Sequence, residues 1–225
     1  MEYQEQYQAY LAQAMTALDA ACARFLPETS EVCRAARYSL LGGGKRIRAV
    51  LVLSVCEMLG GDLQAAQAFA AAVEMLHCYS LIHDDLPCMD NDDLRRGRPS
   101  CHKAFGEATA MLAGDVLLTE AFEVIANAPA APQACVRAAR ALGAGAGSCG
   151  MVYGQELDLK YEALAASEEQ LRQIHRNKTG ALINAAVQMG AAAADADPRQ
   201  CEALEAYAYG LGLVFQIVDD VLDVT

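Results

Sequence analysis

Long segments free of proline and poor in glycine are separated by short breaks along this chain, and none alternates apolar and polar residues with period two for long. That pattern predicts helices over 2–25, 30–41, 45–59, 63–86, 105–127, 133–160, 168–193 and 199–224 and no substantial sheet. Breakers support the edges. Pro27 and Gly42-Gly43-Gly44 close the first two helices, and Gly60-Gly61 followed by Asp62 as an N-cap separates the next pair. Pro129, Pro132 and Asp197-Pro198 mark later junctions. Ser167 with Gln170 three residues on reads as a capping box. The stretches 66–76 and 181–194 are apolar nearly all round. Helices of that kind belong inside a bundle or at a subunit interface. With no repeat and no linker, the expectation is an all-α, single-domain helical bundle over 1–225, assembled as a homo-oligomer. Ala-rich helices that pack only loosely are the plainer alternative.

Composition narrows the class. Of 225 residues 54% are apolar and 20% charged, enough for a large core. The net charge of −12 argues against nucleic-acid binding. Nine cysteines, an odd count without Cys-x-x-Cys, argue against a disulfide framework or a zinc site. The first 23 residues carry Glu2, Glu5 and Asp19 and no signal-peptide layout. The apolar stretch Gly180–Ala194 is too short to span a bilayer. A soluble, cytoplasmic protein with no membrane span is expected.

Two acid clusters change the picture. One is Asp84-Asp85-Leu86-Pro87-Cys88-Met89-Asp90, and the other is Asp219-Asp220-Val221-Leu222-Asp223. Carboxylates packed that closely repel one another, and hard divalent cations bound through oxygen relieve them. Asp219 and Asp223 are four apart, about 40° on a helix, so they share a face. A solvated acidic helix end is the bland reading, but Val214, Phe215, Ile217, Val218 and Val221 surround these acids. Pro87 ends the preceding helix, so Asp84 and Asp85 lie where the dipole disfavours anions, and Asp90 can fold back towards Asp84. His77, Leu81 and Asp84 form one stripe, with Ser80 beside it. A core histidine and a ligand are both open readings of His77.

The basic residues lie in two runs, Lys45-Arg46-Ile47-Arg48 and Arg95-Arg96-Gly97-Arg98, the second directly after Asn91-Asp92-Asp93. Metal on one side and guanidinium on the other is how a polyanionic phosphate is held. Gly42-Gly43-Gly44-Lys45 lacks the spacing of an ATP-binding phosphate loop. A tri-glycine that bends around an anion, followed by Lys45 and Arg48, fits better.

With these pieces in order, the chain resembles the trans-type (E-type) polyprenyl diphosphate synthases, the bacterial farnesyl diphosphate synthase branch above all. Five ordered motifs carry the likeness: Leu40 to Arg48, His77 to Arg98, Gly154-Gln155-Glu156-Leu157-Asp158-Leu159, His175-Arg176-Asn177-Lys178-Thr179-Gly180, and Phe215 to Asp223. The resemblance implies the isoprenoid synthase fold, a deep central cavity with the acid motifs facing each other across its mouth, and a homodimer. It implies Mg²⁺-dependent condensation of isopentenyl diphosphate with an allylic diphosphate. It assigns Asp84, Asp90 and Asp219 to Mg²⁺, with Asp85, Asp220 and Asp223 supporting. Arg95, Lys178, Gln216, Gln155 and Asp158 would face the allylic substrate, and Thr179 would stabilise its cation. Lys45, Arg48, His77 and Arg96 would hold isopentenyl diphosphate. Tyr79 is bulky and would floor the cavity beside the small Ser80, which in this family goes with a C15 product, farnesyl diphosphate. A geranylgeranyl diphosphate synthase with a deeper cavity, a class I terpene cyclase and a non-catalytic partner subunit are the competing readings. Two departures stand out. Ala49 follows Arg48 where the family often has proline, and the chain stops at Thr225 where family members continue, so a C-terminally incomplete fold is expected.

Overall fold

The computed structural model describes residues 2–161, 164 and 166–222, with the backbone alone for Asp219, Asp220 and Leu222. The described chain is almost wholly helical and divides into two compact units, residues 1–53 with 67–129 and residues 54–66 with 130–225.

The first unit holds α1 (Tyr3–Phe25), α2 (Glu31–Leu40), the first part of α3 (Ile47–Met58), most of α4 (Leu63–Asp84), α5 (Cys101–Phe105) and α6 (Glu107–Ala126). Ser30 caps α2 by accepting the Cys33 N–H, and Asp62 accepts the Gln64 N–H ahead of α4. Helix α4 is long and apolar enough to cross a bilayer by length and composition. Most of it is buried, as expected of the core helix of a folded unit. Phe69, Met75, Leu76 and Ile82 on it are fully buried, as are Leu18, Leu40 and Leu117 elsewhere in the unit. Each contributes about 1.5–3 kcal/mol relative to an exposed position.

The second unit holds α7 (Pro132–Ala146), α8 (Met151–Tyr161), α9 (Glu168–Ile174), a π-helical turn (His175–Gly180), α10 (Ala181–Ala193) and α11 (Pro198–Leu222). Helix α10 packs against both α7 and α11 and buries nearly its whole circumference, as the all-round apolar run predicts. Small residues set the distances between helices. A Cβ on Gly145 would lie 2.6 Å from the Ala185 Cβ, and one on Gly212 would lie 2.9 Å from the Gly180 Cα. The Ala-rich helices therefore pack closely, not loosely. The capping box at the start of α9 is present: Ser167 Oγ accepts the Gln170 N–H, and Gln170 Oε1 accepts the Ser167 N–H at 2.8 Å.

Four features depart from the predicted string. The stretch 133–160 is two helices, broken between Ala146 and Met151, where a Cβ on Gly150 would lie 2.3 Å from the Gly145 carbonyl oxygen. The short α5 lies where no helix was predicted, and Gly106, at φ +85°, separates it from α6, so the helix predicted from 105 begins at Glu107. The predicted helix over 168–193 is continuous but passes through the π-helical turn. A two-residue antiparallel ribbon, β1 (Leu94–Arg95) and β2 (Arg98–Pro99), lies between the helices predicted over 63–86 and 105–127, where no strand was predicted. Its turn residues Arg96 and Gly97 have φ of +55° and +74°, the two left-handed conformations a type I′ hairpin requires.

The tightest approach of a glycine to another backbone segment is at Gly154 of α8, whose added Cβ would lie 2.1 Å from the Lys178 backbone nitrogen. Gly154→Ala is expected to destabilise the protein by about 1–3 kcal/mol, read from urea unfolding. A change below about 0.5 kcal/mol would show that α8 and the π-helical turn can move apart freely.

Candidate active site

In the first unit the site is built around the C-terminal end of α4. Asp84 is its last residue, and Pro87 prevents continuation. The chain doubles back, with the Asp90 N–H donating to the Asp84 carbonyl at 2.8 Å. Asn91, at φ +53°, closes the turn by donating to the Leu86 carbonyl. The fold-back expected of Asp90 is thus present in the backbone.

The two aspartates at the end of α4 have different surroundings. Asp85 is 2% exposed and accepts two hydrogen bonds from Arg95, whose Nε lies 3.0 Å from Oδ1 and whose Nη2 also contacts that oxygen. Arg95 reaches Asp92 as well, at 3.3 Å, and Lys103 pairs with Asp93 at 2.8 Å. The hydrogen bond that Arg95 donates to Asp85 is the largest influence raising the Arg95 guanidinium above its usual pKa. Asp85 in this arrangement holds Arg95 at the end of the helix.

Arg96 donates to the Gly43 carbonyl, and its guanidinium lies where a Gly44 Cβ would be, 2.6 Å from Cζ. Gly43 and Gly44 have φ of +94° and +116°. The tri-glycine therefore seats Arg96, where a bend around the anion itself was expected. Arg46 is buried and paired with Glu74 at 3.4 Å, and the Lys45 carbonyl accepts the Tyr7 hydroxyl. Arg48 is half-buried on α3, and its Nε is a buried donor without a hydrogen-bond partner among the described residues. Arg98 stacks on the Tyr38 ring at 4.2 Å.

His77 lies among these cations. Burial first, then the guanidiniums of Arg48, Arg96, Arg46 and Arg95, push its imidazole well below the usual value. Burial likewise lowers Arg48 and Arg96, and Glu74 partly offsets this for both. An uncharged imidazole among crowded guanidiniums is suited to donating to, or accepting from, an anion. The chain, acidic as a whole, thus concentrates positive charge in one place.

Tyr79 is buried one turn before Asp84, edge-on to His83 with ring centroids 5.6 Å apart. The His83 Nε2 lies 3.0 Å from the Met111 carbonyl, which can only accept, so Nε2 carries the proton. Gly114 of α6 leaves room for that ring, since its added Cβ would lie 2.0 Å from Nε2. Ser80 donates its hydroxyl to the His77 carbonyl in its own helix.

In the second unit the π-helical turn carries Lys178 and Thr179. Lys178 Nζ pairs with Asp158 of α8, and the Thr179 hydroxyl donates to Gln216 Oε1 of α11 at 2.9 Å. The structure thus brings together four predicted residues from three separate motifs. Gln155 Nε2, on the same helix as Asp158, is a buried donor without a partner among the described residues. Arg176 stacks on Tyr209 at 3.9 Å, and Asn177 donates to the Gln173 carbonyl. A π-helical turn is rare and recurs at functional sites, because the inserted residue re-aims its neighbours. The side chains of Asp219 and Asp220, and Asp223 entirely, lie outside the described residues.

Among the described residues no three of His, Cys, Asp and Glu converge as a ready metal cage. Mg²⁺ needs no such cage, binding through one or two carboxylates with waters and phosphate oxygens. The backbone fold-back brings Asp90 next to Asp84 in the chain's path, and carboxylates are the hard oxygen donors that ion takes, so these residue types fit it.

Comparison with known proteins decides the family. The Polyprenyl synthetase family profile matches residues 29–225. This chain belongs to the Polyprenyl synthetase family. Geranylgeranyl pyrophosphate synthase 3, chloroplastic, of Arabidopsis thaliana is 49% identical over 206 residues, covering 89% of this chain and 57% of that protein. Geranylgeranyl pyrophosphate synthase, chloroplastic, of Capsicum annuum is 50% identical over 201 residues, 88% of this chain and 54% of its own length. The chain thus spans somewhat more than half the length of these relatives. Among solved structures, a geranyltransferase from Legionella pneumophila superposes with a TM-score of 0.92 at 42% identity, over 98% of this chain and 79% of that one. An apo FPP/GFPP synthase from Zymomonas mobilis superposes at 0.89 with 38% identity, over 97% and 81%. The all-α isoprenoid synthase fold is therefore established for this chain.

His77 is expected to stay neutral well below pH 6.5 in the folded protein. Its folded pKa is depressed, so the unfolded chain binds more protons as pH falls, and stability drops below about pH 6.5. His77→Gln is expected to flatten the loss of unfolding free energy between pH 7 and pH 5. An unchanged slope would show that the imidazole titrates normally.

Proposed function

We propose that this chain forms the substrate-binding part of a prenyltransferase that joins isopentenyl diphosphate to an allylic diphosphate. The observation that carries this reading is the cluster of Arg48, Arg95 and Arg96 around a neutral His77, within two turns of Asp84 on the same helix. Family membership and the names of the relatives support it.

The chemistry follows from the charges. The C1–O bond of the allylic diphosphate breaks with its electron pair on oxygen, and the C1 cation is attacked by the double bond of isopentenyl diphosphate. A proton then leaves to the departing diphosphate, and charge and atoms balance. Bound Mg²⁺ supplies the neutralisation that makes diphosphate a good leaving group. Asp84, Asp90 and Asp219 are the residues that would hold it. Lys178 and Arg95 lie with paired carboxylates, Asp158 and Asp85, and would turn towards the allylic diphosphate as it binds. The Thr179 hydroxyl, held by Gln216, presents oxygen lone pairs suited to a developing cation. Lys45, Arg48, Arg96 and His77 would orient isopentenyl diphosphate through its anionic end. The homodimer implied by the resemblance is part of this proposal.

For the product, the plant relatives are named geranylgeranyl pyrophosphate synthases, which favours the C20 product over the farnesyl diphosphate expected from sequence. The second reading, farnesyl diphosphate, is favoured by Tyr79, buried one turn before Asp84.

Labelled isopentenyl diphosphate with an allylic starter tests the activity. Consumption is expected to require Mg²⁺, and Asp84→Asn is expected to lower it by about 10²–10³-fold. Metal-independent consumption, or none by this chain and by a C-terminally extended one, would refute the proposal. Chromatography of the product decides its length. Tyr79→Ala is expected to shift the distribution to longer chains, and an unchanged product would remove Tyr79 from the account.

A further inference from the structure

Glu74 is the one acidic residue on α4 before Asp84, in a run otherwise apolar from Phe69 to Leu76, and no role above uses it. It is 2% exposed, and its partner Arg46 is 4% exposed. Both its oxygens are engaged. Oε2 accepts from Arg46 Nη1 at 3.4 Å, and Oε1 accepts the Ala49 backbone N–H at 3.2 Å. Arg46 in turn donates through Nη2 to the Leu40 carbonyl. Arg46 itself has φ +52°, a backbone conformation that a non-glycine residue holds only when its surroundings enforce it.

These contacts surround one short segment. Leu40 ends α2, the glycines follow, Lys45 and Arg46 come next, and Ala49 is the third residue of α3. No side chain able to accept a hydrogen bond stands next to the start of α3 in sequence, since the donor-only Lys45 and Arg46 precede Ile47. Glu74 supplies the missing cap from a different helix, satisfying one of the orphan donors at the end where the dipole favours an anion. The same carboxylate balances Arg46. One side chain of α4 thus fixes both the strained residue between Lys45 and Arg48 and the helix that carries Arg48.

We infer that Glu74 is a positioning residue for diphosphate binding: it holds the segment Gly42–Ala49 so that Lys45 and Arg48 converge with His77 and Arg96 on one anion. This rests on the proposed function for the identity of the substrate, but the anion site itself can be tested without catalysis. A plain counter-charge and a positioning residue predict opposite signs. Removing a negative charge beside crowded guanidiniums raises anion affinity by Coulomb attraction alone. Losing the geometry of the segment lowers it.

The probe is inorganic diphosphate titrated calorimetrically into the whole chain in EDTA, so that metal-dependent binding does not contribute. Glu74→Gln is expected to weaken binding about tenfold or more, and Glu74→Asp to recover part of the loss. Unchanged or tighter binding by Glu74→Gln would overturn the inference. Where Glu74→Gln fails to fold, the double variant Arg46→Gln/Glu74→Gln replaces the buried ion pair with a neutral hydrogen-bonding one and leaves no lone buried charge. It is expected to fold and to show the same weakening, and wild-type affinity in it would equally overturn the inference. In turnover, the KM for isopentenyl diphosphate is expected to rise about tenfold in Glu74→Gln, with the KM for the allylic substrate within about twofold. An equal rise in both would mean general distortion and would also overturn it. A wild-type chain that binds diphosphate without consuming isopentenyl diphosphate would fail the proposed function and leave the calorimetric test of Glu74 intact.

Discussion

The constraint on which the first unit's site depends is the crowding of like positive charge. Arg46, Arg48, Arg95 and Arg96 all act on His77, in a chain whose net charge is −12. Guanidiniums cannot escape the cost of crowding by losing a proton, so the protein must hold them there mechanically. Each holding device is different. Asp85 grips Arg95 with two hydrogen bonds, the Gly43 carbonyl and the space over Gly44 seat Arg96, and Glu74 binds Arg46. His77 answers the same field by staying neutral. A cluster so charged is stabilised by a polyanion, and this links the packing of α4 to the diphosphate binding proposed above.

The second unit solves a different problem, that of placing a lysine and a hydroxyl side by side on rigid backbone. The π-helical turn does this by adding one residue to a helical turn, at a point where Gly154 lets α8 approach within backbone contact. Asp158 and Gln216 then come in from the flanking helices to hold Lys178 and Thr179. Small residues at Gly145, Gly180 and Gly212 allow the close helix approach throughout this unit. The low aromatic content, 6%, and the wealth of alanine are thus part of how the fold is packed.

Much of this was legible in the sequence. Helix positions followed from periodicity and breakers, because capping by Asp62 and Ser167 is local chemistry. The fold-back of Asp90 followed from Pro87, since proline ends a helix wherever it stands. Glu74 was missed, although the reasoning that singled out carboxylates amid apolar residues applies to it equally. The acid pairs drew attention by repetition, and a single glutamate does not. The Gly147–Gly150 break was missed because glycines inside a helix are a weak signal, and here a close backbone approach gives them their role.

What the sequence determined by itself was the inventory and its local order: helices, caps, two acid motifs, two basic runs and a family. These depend on neighbours within a few residues, or on motifs read in order along the chain. What only the tertiary structure decided was which charge meets which. Arg95 belongs to Asp85, Arg96 to the glycine loop, Arg46 to Glu74 twenty-eight residues away, and Lys178 to Asp158 across two helices. Electrostatic pairing depends on distance and burial in space, and a linear pattern carries neither.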